Sequence, residues 1–528
     1  MPQASLDQLG KIEAIFRDVR SDTPGCAVGV VRDGETVFAK GYGLACLEHG
    51  APITPATRFY LASVSKQVTA FAVLLAAEAG RLELDDPVRT HIAELPRCMD
   101  GVTLRHLLTH TGGVRDYFNL GVLAGLGQEH TYTEDEVLRS LGRQGALNFT
   151  PGQDFLYSNS GYVLLAIALA RVTGARLDAF ARHEIFKPLG MDASRFQHDH
   201  AAVVPAKAFG YEQRSGQWRT ANSRLDVVGD GGMYASLDDM LAWTRNLLSP
   251  RMGARAIDLM RSPARLTSGA STGYGMGLQI GAHRGLQTFG HGGALAGYRT
   301  ELLAYPSAGL GVIVLFNDAA AWPALAARRV AEVFLADRMT PTATRPPAPS
   351  PEAIKARVGC YRALEGDVVS LVEQDGTLFI EGVPRALRPL GAESFALAGD
   401  PDLMRLAFEP GGRGLSVVSG AAPPRHYRRC EPSAEIDVET YIGDFQSRDV
   451  GKATCRVSAN EAGLAVGFGN GQSVPLRPIG SDCLWAPDFG FALAFERDHD
   501  GATIGFRLDG GRVRGIHFVR AAEDREGL

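Results

Sequence analysis

The chain has 528 residues, a net charge of -5, 45% hydrophobic and 21% charged residues, which is too long for one ordinary domain and typical of about two to four globular ones. The mild acidity and the lack of a basic cluster interleaved with aromatics exclude a nucleic-acid surface. Seven scattered cysteines without a C-x-x-C pair suggest neither a zinc site nor a disulfide framework, the polar N-terminus has no signal-peptide core, and the longest apolar stretch, Tyr162 to Val172, is too short to span a bilayer, so a soluble cytoplasmic protein is expected.

Along the chain, "CAVGVVRDGETVFAKGYG" reads as a β-hairpin turning at Asp33-Gly34. Next, "FYLASVSKQVTAFAVLL" opens a helix with Ser63 three residues before Lys66. In "HLLTH", His106 and His110 have a spacing that zinc ligands can use, but no Glu follows His106 and the segment runs into Gly112-Gly113, so no metal is expected. "PGQDFLYSNSGYVLL" places Tyr157 and Asn159 in a loop before a second helix, and "SLDDMLAWTRNLL" is a third with Ser236 as N-cap. "TFGHGGALAGYRTELL" puts His291-Gly292-Gly293 at a strand start, where missing side chains let a substrate lie against the backbone. A hairpin turning at Pro306 to Gly309 follows. Strands at both ends with helices between predict one mostly antiparallel sheet assembled from distant segments, with helices packed on it.

The proline-rich stretch 338–353 reads as a stiff linker. Beyond it come short strands with Gly and Asp turns, and a repeat: "VGCYRA" at 358 resembles "IGDFQS" at 442, "LRPLGAESFAL" at 387 resembles "LRPIGSDCLWA" at 476, and "MRLAFEP" at 404 resembles "FALAFERD" at 491. Two copies of one small all-β domain fit, at 354–432 and 433–528, after a catalytic unit at 1–337.

On a helix, Ser63 and Lys66 share a face near the N-terminus, where free N–H groups and the helix dipole can lower a lysine pKa and hold an oxyanion. Such a lysine can take the serine proton. The plainer reading is a capping serine with a snorkelling lysine. For Tyr157, Asn159 and the His-Gly-Gly segment it is a buried tyrosine, a loop asparagine and a strand bulge.

The three stretches in this order resemble the serine penicillin-recognising hydrolases, which include class C β-lactamases, DD-peptidases and related esterases. The likeness covers nearly all of residues 20–335, including "LELDDPV", "TLRHLLTHTGG", "FTPGQDFLYSNSGY" and "IFKPLGM". Within that family, "SVSKQVTAFAVLL", "GGVRDYFNLGVL", "VGDGGMYASLDDMLAW" and "GHGGALAGYR" are similar to the D-aminopeptidase branch, which carries two small β-barrel domains after its catalytic domain. The resemblance implies an α/β (α+β) β-lactamase/transpeptidase-like catalytic domain, followed by two antiparallel β-barrels. It implies Ser63 as nucleophile, Lys66 as general base and Tyr157 as proton relay. Asn159 orients the substrate carbonyl and Lys66, the N–H groups of Ser63 and Ala294 form the oxyanion hole, and Gly292-Gly293 line the substrate. His291 stands where many relatives have a lysine that grips a substrate carboxylate. A mostly neutral imidazole grips one less firmly, which argues against a carboxypeptidase or strong β-lactamase.

An aminopeptidase needs an anion for the substrate ammonium. The resemblance implies an aspartate from a loop of the last domain. Asp488, at a loop tip by the internal repeat, is preferred over Asp482, and Asp230 in "VGDGG" is a second candidate or else a turn carboxylate. The expected activity is release of N-terminal D-amino acids from small peptides, amides or esters, with no cofactor, β-lactams as inhibitors, no nucleic-acid or membrane partner, and a homodimer by resemblance. The alternatives are an esterase or β-lactamase-like hydrolase of the same family, and a penicillin-binding sensor.

Overall fold

A computed structural model describes residues 4–521 except 128, 342–348, 432–436, 462, 470 and 472. The catalytic unit is built on a six-stranded antiparallel sheet in the order Gln279–His283, Leu286–Leu295, Tyr298–Tyr305, Leu310–Phe316, Cys26–Arg32, Glu35–Tyr42. The first hairpin therefore pairs with the last strands of the unit, with Cys26 opposite Phe316 and Arg32 opposite Leu310. Cys26–Arg32 is buried on both faces, so it reads as an apolar run without polar alternation. Period two still sorts its side chains. Val28 and Val30 face the terminal helices Leu6–Phe16 and Pro323–Leu335, while Ala27 and Val31 join the larger core on the other face.

That larger core contains the helices that carry the site. Ser65–Glu78 is buried around most of its circumference, polar Gln67 and Thr69 included, as a helix in the centre of a large domain is. Gln67 accepts from the Trp243 indole at 2.9 Å. Trp243 lies on Leu237–Leu248, which Ser236 caps by accepting from Asp239 N at 3.1 Å. Gly29 lets this helix lie on the sheet: a Cβ there would be 2.8 Å from Leu237 Cδ1.

Beyond residue 350 a short helix, Pro351–Lys355, occupies the end of the expected linker, whose centre lies outside the described residues, as does the expected 432/433 boundary. A closed eight-stranded barrel runs from Gly359–Ala363 to Arg425–Arg429, its first and last strands paired. A nine-stranded antiparallel sheet follows, from Gly443–Gln446 to Val513–Arg520. The matched repeat segments fall on corresponding strands: Gly359–Ala363 and Gly443–Gln446 open the two units, and Met404–Phe408 and Phe491–Arg497 hold equivalent places. The aromatic core of the last unit, with Phe445, Phe506 and Phe518, is continuous with that of the catalytic unit. Among the described residues, no helix is long and apolar enough to cross a membrane.

Candidate active site

Strand Arg58–Tyr60 pairs with Met233–Ser236, Phe59 opposite Ala235, which brings the 229–232 turn beside the residues after Tyr60. The chain then bends sharply. Ala62 has φ +49, a costly conformation for a residue with a Cβ and one that collects at functional sites. Ser63 sits in a single 3-10 turn, Ala62–Val64, and Lys66 is the second residue of the α-helix that follows. The expected single helix is thus split, yet the shared face survives because positions three apart also eclipse in a 3-10 turn.

Lys66 is wholly buried. Its Nζ donates to Ser63 Oγ at 3.2 Å, to Asn159 Oδ1 at 2.9 Å and to the Asp230 carbonyl, using all three donors of an ammonium. Burial is the main cause that brings its pKa down to about 7; the Asp230 carboxylate opposes the fall, Arg512 adds to it and Asp116 opposes it. Near neutral pH part of the amine is therefore free base, 3.2 Å from the serine hydroxyl.

Tyr157 lies in the loop before helix Asn159–Thr173, with its hydroxyl buried and without a hydrogen bond of regular geometry. Burial pushes its pKa up, while the nearby Ser63 hydroxyl and Arg512 favour the phenolate. Lys66 Nζ lies 4.9 Å from its ring centre, and the His110 ring 4.2 Å away. Asn159 is fixed by its backbone N–H, which donates to Asp116 Oδ2 at 2.7 Å.

Ser63, Asn159, Asp116, Asp230, Ala294 and Arg512 line one cleft of ≈ 200 Å³, walled on its apolar side by Phe118, Leu225 and Leu295. Asp230 projects from a turn that only glycine allows: Gly229 has φ +110, and a Cβ there would be 2.4 Å from the Tyr162 carbonyl. Its Oδ2 accepts from Tyr117 Oη at 2.9 Å; its Oδ1 is buried with no partner among the described residues. Burial raises its pKa, against the pull of Lys66. Gly293 permits the close approach of the strand to the nucleophile, since a Cβ would sit 2.2 Å from the Leu61 carbonyl and 3.2 Å from Ser63 N.

Other expected residues stand elsewhere. His291 is buried with both nitrogens engaged: Nδ1–H donates to the Gly292 carbonyl at 2.6 Å and Nε2 accepts from Tyr274 Oη at 3.0 Å. Burial brings its pKa down to about 3, so it is neutral. It lies behind Tyr157, 6.0 Å between ring centres, and does not line the cleft. Gly292 faces Glu301: a Cβ would be 2.8 Å from its Oε2. His106 takes part in capping its own helix, its Nδ1 accepting from Thr103 N at 3.2 Å, and His110 Nδ1 accepts from Ser158 N at 3.1 Å.

Among the described residues, no aspartate of the last unit lines the cleft. Asp482 is held by Arg497 at 2.6 Å and by Tyr441 Oη at 2.9 Å. Asp488 is exposed in the turn after Cys483–Ala486, and neither lines the cleft. The last unit enters through a different hairpin, between strands Thr503–Gly510 and Val513–Arg520, and it brings Arg512. The reason is docking. Arg115, 1% exposed, donates to Asp449 at 2.6 Å and to the Arg514 and Gly515 carbonyls at 2.9 and 3.1 Å, which seats this hairpin on the catalytic unit. Asp116, Tyr117 and Arg512 went unread in the sequence; the one local signal was the Gly-Gly turn followed by Arg512 and Arg514 in "DGGRVRG".

A serine hydroxyl beside a lysine amine whose pKa burial brings down to about 7, with a buried tyrosine hydroxyl on the same side, defines a serine hydrolase of the penicillin-recognising fold. The Beta-lactamase family profile matches residues 12–335, more than half of the chain, and the chain belongs to that family. It is 28% identical over 503 residues to a D-aminopeptidase of Gluconobacter oxydans, with 93% of each chain covered. It is 33% identical over 295 residues to a D-aminopeptidase of Brucella anthropi, with 56% of each covered. In three dimensions it is similar to the octameric penicillin-binding protein homologue from Pyrococcus abyssi, with a TM-score of 0.59, 23% identity, and 80% of this chain and 100% of that one covered.

Proposed function

We propose that the protein is a serine aminopeptidase that releases N-terminal D-amino acids from small peptides, amides and esters through an acyl-enzyme on Ser63. The observation that carries this is the unpartnered, buried Oδ1 of Asp230 in the cleft of the nucleophile. A buried carboxylate oxygen left without a donor is costly, and a substrate ammonium supplies the missing donor. The D preference rests on the relatives, whose likeness extends over both the catalytic and the β units.

Ser63 Oγ attacks the carbonyl while Lys66 Nζ takes its proton, and the Ser63 and Ala294 N–H groups hold the developing oxyanion. Tyr157 Oη passes a proton to the leaving amine. Lys66 returns its proton to Tyr157, is free base again and takes a proton from the water that cleaves the ester, and that proton goes back to Ser63 Oγ. Asn159, bonded to Lys66 and anchored by Asp116, keeps amine and substrate carbonyl in register. With a neutral imidazole and no cation at position 291, β-lactams act here as inhibitors more than substrates. A cytoplasmic location suits seven cysteines that all stand as free thiols, and a homodimer is the assembly that light scattering should find.

Hydrolysis of D-Ala and L-Ala p-nitroanilides beside a p-nitrophenyl ester tests the reading. Ser63→Ala should abolish acylation and keep the fold. Residual activity within tenfold of wild type, or equal turnover of both enantiomers, would refute it.

A further inference from the structure

The last unit brings a cation where an anion was expected. The Gly510–Val513 turn is fixed at its backbone: the Arg512 carbonyl accepts from Asp116 N at 3.3 Å and from Asn148 Nδ2 at 3.1 Å, and Arg514 N donates to Asn148 Oδ1 at 2.8 Å. Gly511, at φ +58, allows the approach, since a Cβ there would be 2.9 Å from Asn119 Nδ2. The guanidinium of Arg512 is consequently held over the Tyr157 ring, 4.7 Å from its centre.

This guanidinium is under-used. Its one polar contact among the described residues is Nη1 to Asp116 Oδ2 at 3.5 Å, and that oxygen already accepts from Asn159 N at 2.7 Å, while Oδ1 accepts from Phe118 N at 3.0 Å. Nε and Nη2 have no hydrogen-bond partner among the described residues, and the side chain stays 39% exposed to the cleft mouth. The other basic groups near the nucleophile are spoken for. Lys66 is buried and uses every donor, and His291 is neutral behind Tyr274. Arg512 is thus the one permanent cation that lines the cleft among the described residues.

We propose that Arg512 is the carboxylate-binding residue of this cleft, so that the preferred substrate is a zwitterion, with its ammonium on Asp230 and its carboxylate on the guanidinium. The ammonium half of this statement rests on the aminopeptidase reading; the carboxylate half does not. A flat guanidinium fork matches a carboxylate in two parallel bonds. The stacking on Tyr157, on the side of the leaving amine, favours the C-terminal carboxylate of a short peptide leaving group. The side-chain carboxylate of a released acidic residue is the other source of the same chemistry.

The test is binding to full-length Ser63→Ala protein, which holds ligand without turnover, with and without Arg512→Gln. Calorimetric titration compares D-alanyl-glycine with its C-terminal amide, and D-aspartic acid α-amide with D-asparagine α-amide. The free peptide should bind about tenfold or more tightly than its amide, as a charge-assisted pair predicts, and Arg512→Gln should remove that preference while leaving the amide unchanged, which also shows that the variant is folded and docked. Arg512→Lys should keep part of it. A preference confined to the aspartate pair, lost in Arg512→Gln, places the carboxylate on the released residue and keeps the assignment. Equal weakening of all four ligands, or no change in either ratio, overturns it. Wild-type protein that binds by this pattern yet fails to cleave D-Ala p-nitroanilide would sink the aminopeptidase reading alone.

Discussion

Asp230→Asn removes one charge and keeps the shape of the side chain. The amide oxygen can still accept from Tyr117 Oη, so the bond that holds the carboxylate at 2.9 Å has a replacement. What is lost is the charge of a carboxylate that lines the cleft, its buried Oδ1 without a partner among the described residues. A charge-assisted bond to an ammonium contributes about 1.5–3 kcal/mol, which is about ten- to 150-fold in kcat/KM. The loss should fall on substrates with a free amine and spare their N-acetyl derivatives. A second effect has the opposite sense. The Asp230 carboxylate opposes the fall in the Lys66 pKa, so its removal should carry that pKa further below about 7 and extend turnover of the N-acetyl substrate to lower pH. Measuring kcat/KM for D-Ala p-nitroanilide and N-acetyl-D-Ala p-nitroanilide across pH separates the two. A ratio of the two substrates unchanged in Asp230→Asn, across the whole range, would refute the placement of the ammonium.

The wild-type pH profile follows from the same groups. Lys66 accepts a proton only as free base, so activity should be low in acid and rise through about pH 7. With a free-amine substrate it should fall again above roughly pH 8, as the α-ammonium of ordinary pKa near 7.7–8.0 is lost, whereas the N-acetyl substrate should show the rising limb alone. A flat profile for both between about pH 5.5 and 9 would show that Lys66 is not the base, since kcat/KM reports the free enzyme's essential groups. Asp449→Ala leaves Arg115 buried without its carboxylate, a change that costs about 3–5 kcal/mol for a buried pair. The thermal midpoint should drop clearly, and an unchanged midpoint would show that this pair does not hold the last unit in place.

What could be read from the chain depended on distance along it. Ser63 and Lys66 lie within one turn of each other, and Tyr157 and Asn159 are two residues apart, so local spacing carried them. The Asp33-Gly34 and Pro306–Gly309 turns were legible for the same reason, and the order of the repeat segments foretold corresponding strands in the two β units. The pairing of Asp116 with Arg512 spans 396 residues, and it exists only because two units dock. The preference for Asp488 rested on the repeat alone. The repeat correctly placed it at a turn, but nothing in the spacing said which turn faces the cleft. Burial also eluded the sequence: a histidine at position 291 announces neutrality, but not that Tyr274 and the Gly292 carbonyl would occupy both its nitrogens.

The buried Arg115 sets the order in which the molecule can be completed. Its partners Asp449 and the Arg514 carbonyl are synthesised 334 and 399 residues after it. A ribosome therefore delivers Ser63, Lys66 and Tyr157 long before the hairpin that finishes their surroundings. Until then the nascent catalytic unit carries Arg115 with Gln144 Oε1 as a partner but without its carboxylate, and contacts so remote in sequence form late and slowly. The reactive serine is made early, whereas the hairpin that lines its cleft with Arg512 is made only after the whole of the first β unit.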